Sequence, residues 1–180
     1  MHVLIVDNGS RYLTQLKHVF AKDQVEAINW KKVGSKVARD TDLVVLSGGH
    51  SFSVVDHPEK WKNEVAFIRK CKKPIIGICL GFELISYAYG STLKRMKNKE
   101  KGTIQITMGT KKFHVFENHR WVVEKTGPKL LSLAQSKDGV EAIRHRKKPI
   151  YGFQFHPEMF VRKTDGKRLF SQVIRTIKGK

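Results

Sequence analysis

The sequence is short of cysteine, of acidic side chains and of long apolar runs. Its 180 residues contain two cysteines, Cys71 and Cys79, so neither a disulfide framework nor a metal site built on cysteine is expected. No stretch approaches the roughly 18 apolar residues that a membrane-spanning helix needs, so no membrane partner is expected. The N-terminus becomes polar at Asp7, too early for a secretory signal, which indicates a cytoplasmic protein with reduced thiols.

The shortage of acids leaves a large excess of positive charge. Lysine and arginine number 35 against 16 aspartate and glutamate residues, a formal net charge of +19. A balance this basic attracts polyanions, so an acidic partner or a nucleic acid is one interpretation. Ordinary solvated faces are the other, because the chain has no zinc finger and no aromatic RNA-binding motif. The cations are grouped at 31–32, 69–73, 94–101 and 144–148.

Short apolar runs alternate with amphipathic stretches along the chain. Strands are predicted at 3–6, 25–28, 43–46, 75–78, 139–143 and 150–155. Helices are predicted at 12–20, 60–70, 83–88 and 169–177. Residues 91–126 alternate apolar and polar side chains, as antiparallel hairpins do. We expect one domain over residues 1–180 with an α/β, flavodoxin-like fold: a doubly wound, mainly parallel sheet, helices on both faces and an antiparallel edge extension.

A cysteine between two glycines is the strongest chemical signal. Residues 77–81 read Gly-Ile-Cys-Leu-Gly directly after an apolar run, which predicts a sharp strand-to-helix turn that exposes Cys79 above the sheet. His156 and Glu158 follow a second apolar run. A thiol, an imidazole base and a carboxylate that orients the base form a set suited to acyl transfer through a thioester. The alternative is a structural cysteine and a solvated histidine.

Three segments together resemble the class I glutamine amidotransferases: residues 47–49, 77–81 and 151–158. The resemblance spans nearly the whole chain. Within the family it is greatest to the glutaminase subunits and domains of GMP synthases, through residues 3–9, 148–152 and 164–170.

The resemblance implies a role for each matching residue. Cys79 would attack the side-chain amide of glutamine, His156 would move the proton, and Glu158 would hold the imidazole. The helix that follows Cys79 would lower its pKa. The oxyanion hole would be formed by the backbone N–H groups of Gly49 and Leu80. Further contacts to the substrate would come from Gly48, Gly81 and Glu83.

The same resemblance implies a partner. Ammonia would pass to a separate synthetase, the ATP-pyrophosphatase subunit of a GMP synthase, which places the chain in the GMP branch of purine biosynthesis. ATP and magnesium would belong to that partner, and no cofactor is expected here. His119, in a segment that matches a family loop near the synthetase interface, is a candidate for the partner interface. An ordinary exposed loop histidine is the alternative.

Two positions depart from the family pattern. Glu83 stands where the family commonly has glutamine, so the side chain keeps its acceptors and loses its donors. Its charge could bind the substrate ammonium and could also raise the pKa of Cys79. His50 stands where proline often follows the two glycines. Two further functions therefore stay open: a triad hydrolase acting on another γ-glutamyl or amide substrate, and a non-catalytic regulatory or binding homologue.

Overall fold

A computed structural model describes residues 1–34, 38 and 40–179, in which nine strands form one sheet. The strands are β1 His2–Asp7, β2 Gln24–Asn29, β3 Leu43–Leu46, β4 Ile75–Ile78, β5 Thr92–Met108, β6 Lys111–Lys125, β7 Leu130–Gln135, β8 Val140–His145 and β9 Ile150–Phe153. The helices are α1 Leu13–Val19, α2 Pro58–Lys70, α3 Leu80–Ala88 and α4 Gly166–Ile177, with a short 3-10 turn at Trp30–Lys32.

One half of the sheet is parallel, in the order β2-β1-β3-β4-β9. Every residue of β3 and β4 is buried, because helices cover both faces. On one face Leu46 packs with Trp61 of α2 and Ile85 of α3. On the other, Val45 packs in the same cluster as residues of α1 and α4. The predicted α/β fold with helices on both faces is therefore observed.

The other half is antiparallel and is larger than the sequence suggested. Strands β5 and β6 form a hairpin of 17 and 15 residues that turns at Gly109, where φ is +59°. Strands β8 and β7 pair with each other and extend it. Since β9 also pairs with β8 in antiparallel fashion, the mainly parallel, flavodoxin-like description is not confirmed. Strand β7 was missed, because only part of its short run is buried.

The register of two central strands determines where the candidate site lies. Strands β4 and β9 are parallel neighbours, with Ile78 opposite Phe153. Both strands end at the same edge of the sheet, so the segments that follow them meet there.

Among the described residues, no helix has both the length and the apolar character needed to cross a membrane.

Candidate active site

Cys79 occupies a strained turn between β4 and α3. Its φ is +51° and its ψ is −106°, a backbone conformation that residues other than glycine rarely adopt. The flanking glycines are required by close packing: a Cβ on Gly77 would collide with the carbonyl oxygen of Gly81, and one on Gly81 with that of Leu46. The Gly-x-Cys-x-Gly pattern is therefore a steric consequence of holding the cysteine on this turn.

A third segment, the turn after β3, lies against both Cys79 and His156. A Cβ placed on Gly48 would lie 3.0 Å from His156 Cε1 and 3.5 Å from Cys79 Cβ. A Cβ on the next residue, Gly49, would lie 2.6 Å from Leu80 Cδ2. The missing side chains let this turn pack against both catalytic candidates.

His156 is held by Glu158. The imidazole Nδ1 lies 2.8 Å from Glu158 Oε1, and both side chains are buried. The ring of Tyr12 meets the imidazole edge-on, with centroids 4.8 Å apart. The thiol Sγ contacts the carbonyl oxygen of Asn118 at 4.0 Å, and within the described residues it has no hydrogen bond to His156. The structure thus orients the imidazole, while the thiol faces the neighbouring strand β6.

The electrostatic environment of Cys79 disfavours the thiolate. Burial raises the pKa of the thiol well above its ordinary value, and the negative charges of Glu83 and Glu158 add to this effect. The backbone N–H of Leu80, the first residue of α3, acts in the opposite direction. The N-terminus of α3 therefore acts on the pKa in the predicted direction, but burial has the larger effect and the net shift is upward.

Glu83 lies one turn into α3 and lines a cavity that Cys79 also lines. Its side chain is buried, and Oε1 accepts a hydrogen bond from Gln154 Nε2 at 3.3 Å. Burial raises the pKa of Glu83 to about 7, against the opposing charge of His119 and the hydrogen bond from Gln154. The expectation that Glu83 raises the pKa of Cys79 agrees with the structure.

His119 lies inside the molecule rather than in an exposed loop. It belongs to β6, its Nε2 lies 2.8 Å from Glu117 Oε2, and its Nδ1 lies 2.9 Å from the carbonyl oxygen of Trp121. Its side chain is 1% exposed, which contradicts the exposed-loop alternative. The side chain lines the cavity beside Cys79, and its part in a partner interface stays a prediction.

Behind His119 lies a pair of acids that the sequence reading missed. Burial raises the pKa of Glu117 to about 7, and burial together with Glu117 raises that of Glu141 further. Glu117 Oε1 and Glu141 Oε2 are buried and have no hydrogen-bond partner within the described part of the chain. The period-2 spacing of Glu117 and His119 on β6 was an available signal, whereas Glu141 is brought in from β8 by the sheet.

The candidate residues surround a cavity of about 370 Å³. Of the residues singled out from the sequence, those that line it are Cys79, His156, Gly49, Leu80, Glu83, His119 and His50. Gly48 and Gly81 are not among the lining residues, and Gly81 packs against β3 instead. Three exposed cations stand at the mouth: Arg11, Lys99 and Arg120. The cavity thus combines a thiol, a held imidazole and a buried carboxyl beneath a basic rim.

Comparison with known proteins identifies the class of the chain. The family described as glutamine amidotransferase class-I matches residues 4–176. The chain therefore belongs to the class I glutamine amidotransferases.

Within that family the chain is similar to proteins named as one subunit of glutamine-hydrolyzing GMP synthase. The Methanocaldococcus jannaschii protein of that name is 30% identical over 87% of this chain and 88% of its own length. The Pyrococcus furiosus protein is 31% identical over 87% of this chain and 89% of its own length. A Thermoplasma acidophilum crystal structure, solved as that of a candidate GMP synthase subunit, shares the fold with a TM-score of 0.87. That match has 24% identity and covers 99% of this chain and 94% of the other.

Proposed function

We propose that the protein is a glutaminase subunit that hydrolyses glutamine to glutamate and ammonia through Cys79, His156 and Glu158. The observation that carries the proposal is that Cys79, on a strained turn, faces the same cavity as the buried His156–Glu158 pair. The name of the relatives, which describes a glutamine-hydrolyzing GMP synthase, supports the choice of substrate.

The first half-reaction is acyl transfer to the thiol. His156 takes the proton from Cys79 as Sγ attacks the amide carbon, and Glu158 stabilises the imidazolium that forms. Since burial disfavours a free thiolate, proton transfer accompanies the attack, and the thiol must first turn from Asn118 toward the imidazole. The N–H groups of Gly49 and Leu80 stabilise the oxyanion.

The second half-reaction regenerates the thiol. The C–N bond breaks, and the departing ammonia takes its proton from His156. Water then attacks the thioester, with His156 as the base, and glutamate leaves as Cys79 recovers its proton. Every proton in the cycle passes through one imidazole, which is why its orientation by Glu158 matters.

Ammonia released here is consumed by a separate synthetase, which we propose to be the ATP-pyrophosphatase subunit of a GMP synthase in the cytoplasm. ATP and magnesium belong to that partner. The exposed cations at the cavity mouth suit a partner surface that is acidic where it covers the site.

One observation favours a second candidate, a triad hydrolase for another γ-glutamyl or amide substrate. The buried Glu83 stands in the cavity where the family commonly has glutamine. Loss of a donor to the substrate typically costs about 1–3 kcal/mol, or roughly ten- to a hundred-fold in affinity. A substrate that offers a donor to Glu83 would avoid this loss.

Active-site labelling separates the candidates. The protein is incubated with 6-diazo-5-oxo-norleucine, a glutamine-mimicking electrophile, with and without free glutamine, and the adduct is located by mass spectrometry. We expect a single adduct on Cys79 that glutamine prevents and that Cys79→Ala abolishes. Alkylation of Cys79 by iodoacetamide without this adduct would contradict glutamine as the substrate and favour the second candidate. A thiol that resists both reagents would favour a non-catalytic homologue.

The transfer of ammonia is tested with the partner present. In the reconstituted pair, Cys79→Ala should abolish glutamine-dependent amination and leave ammonia-dependent amination unchanged. If glutamine hydrolysis occurs but no amination is supported by any GMP synthase partner, the assignment of that partner fails while the glutaminase stands.

A further inference from the structure

Two basic runs that are distant in the sequence meet at the end of the sheet opposite Cys79. One is 69–73, at the end of α2, and the other is 144–148, between β8 and β9. The Nζ of Lys148 donates a hydrogen bond to the carbonyl oxygen of Arg69 at 2.6 Å. Cys79 follows the last residue of β4, whereas these runs lie where β4 and β9 begin. This region is therefore separate from the glutaminase cavity.

Arg69, residues 145–148 and the segments 88–89 and 128–129 line a cleft of about 830 Å³, called here the basic cleft. Five cations line it: Arg69, Lys129, Arg146, Lys147 and Lys148. No acidic side chain is among its lining residues, and none of the ion pairs found within residues 1–34, 38 and 40–179 involves these five. A solvated basic face usually mixes both signs, so the cleft concentrates charge without neutralising it.

Both arginines are fixed by one nitrogen and leave the rest of the guanidinium available. Arg69 Nε donates to the carbonyl oxygen of Ala88 at 2.8 Å, and Arg146 Nε donates to that of Pro128 at 3.0 Å. Their terminal N–H groups make no hydrogen bond within the described part of the chain. A guanidinium held in this way is a preorganised fork for the oxygens of a phosphate.

A buried histidine, His145, also lines the cleft. His145 Nδ1 accepts hydrogen bonds from the backbone N–H groups of Lys147 and Lys148, both at 3.0 Å. Its proton therefore lies on Nε2. Burial, helped by Lys148 and Lys129, lowers the pKa of His145, so the ring stays uncharged at neutral pH. The ring of Tyr89 packs against it edge-on, with centroids 4.7 Å apart.

We propose that the basic cleft binds the phosphate groups of a nucleotide polyphosphate or of a nucleic-acid backbone. Several unneutralised cations around one concave site match a ligand that carries several negative charges close together. Two fixed guanidinium forks match the paired oxygens of phosphates. The proposal does not depend on glutamine hydrolysis, which takes place at the other end of the sheet.

The test uses a short fluorescein-labelled oligouridylate, with inorganic triphosphate as a separate ligand and competitor. Arg146→Glu/Lys147→Glu reverses two exposed charges of the cleft. Lys111→Glu/Lys112→Glu is the matched control, since it makes the same change in net charge on exposed residues at the β5–β6 turn. Fluorescence anisotropy gives the Kd over a range of salt concentrations, and the rate of Cys79 alkylation checks that both variants are folded.

We expect the cleft variant to weaken binding by at least about tenfold and to make the salt dependence shallower by about 1–2 in slope, while the control changes binding much less. Tight binding of the oligonucleotide identifies a nucleic-acid backbone as the source of the phosphate. Binding of triphosphate alone, with the same dependence on the cleft, identifies a nucleotide polyphosphate. Equal weakening by both double variants would overturn the proposal, because attraction would then be diffuse. The absence of binding by either probe near physiological salt would overturn it too.

Discussion

At the carboxyl end of the parallel strands buried acids and imidazoles lie beneath a rim of exposed cations, whereas the basic cleft at the opposite end has several cations and no acid among its lining residues. Four carboxyls lie close to the candidate site with little or no exposure: Glu83, Glu117, Glu141 and Glu158. At the basic cleft the positive charges remain in contact with solvent. A buried acid responds to its surroundings by changing its protonation, while an exposed cation keeps its charge and shapes the field outside.

The comparison shows why the net charge of +19 says little about the chemistry of the site. The net charge is set mainly by exposed residues, whereas the buried carboxyls of the candidate site are acidic. Substitutions near the candidate site should therefore change catalysis, protonation and stability. Substitutions at the basic cleft should change the binding of anions. Three substitutions at the acidic end, two of them with matched control variants, sharpen this contrast.

The largest effect is expected from Glu158→Gln. The variant keeps the size of the side chain and removes the charge that orients and stabilises the His156 imidazolium, so kcat/KM for glutamine should fall by about 10³-fold or more. Steady-state glutaminase assays measure the loss. Glu124→Gln on β6, where the side chain is 57% exposed, is the matched control and should leave kcat/KM unchanged. A loss below tenfold for Glu158→Gln would remove Glu158 from the mechanism.

An intermediate effect is expected on stability from Glu64→Gln. Burial raises the pKa of Glu64 from 4.5 to about 8, opposed by the hydrogen bond from Asn8. A raised folded-state pKa means that stability is highest at low pH and is lost as pH rises from about 4.5 to about 8. The variant should therefore be more stable than the parent at pH 8, by about 1–3 kcal/mol, and nearly equal at pH 4.5.

Chemical denaturation at both pH values measures this difference. Lys147→Gln at the basic end is the control, because removing an exposed charge should change the free energy of unfolding by less than about 0.5 kcal/mol at either pH. Equal stabilisation of Glu64→Gln at pH 4.5 and pH 8 would show that packing, and not ionisation, is responsible.

The smallest effect is expected from Glu83→Gln on the reactivity of Cys79. Because the pKa of Glu83 is about 7, its carboxyl is mostly neutral at pH 6 and mostly ionised at pH 8.5. Only the ionised form of Glu83 raises the pKa of Cys79 and so disfavours the thiolate. The variant should be alkylated by iodoacetamide about tenfold faster than the parent at pH 8.5 and at nearly the same rate at pH 6. A ratio that does not change with pH would count against ionisation of Glu83.

Local patterns in the sequence were sufficient to find the central residues of the site. The glycines around Cys79 reflect steric contacts within a few residues, and His156 and Glu158 are two residues apart. The helices on both faces also follow from periodicity. These features need no knowledge of distant contacts.

What the sequence did not reveal depends on pairing between distant strands. Glu117 and Glu141 meet only because β6 and β8 share the sheet. The size of the antiparallel half follows from the long β5–β6 hairpin, whose length could not be predicted from the alternation of apolar and polar residues. The net upward shift of the Cys79 pKa had no local signal, because burial is a property of the whole fold. The meeting of the two basic runs at the cleft had no local signal.

The left-handed backbone at Cys79 has a consequence for how such a chain can change over generations. Glycine is the residue that adopts this conformation without strain, so replacing Cys79 by glycine would relieve a local cost of about 1–3 kcal/mol while removing the thiol. Stability of the fold and the nucleophile proposed above therefore make opposite demands on this one position. A cysteine at φ +51° carries a cost in stability that glycine would not carry there.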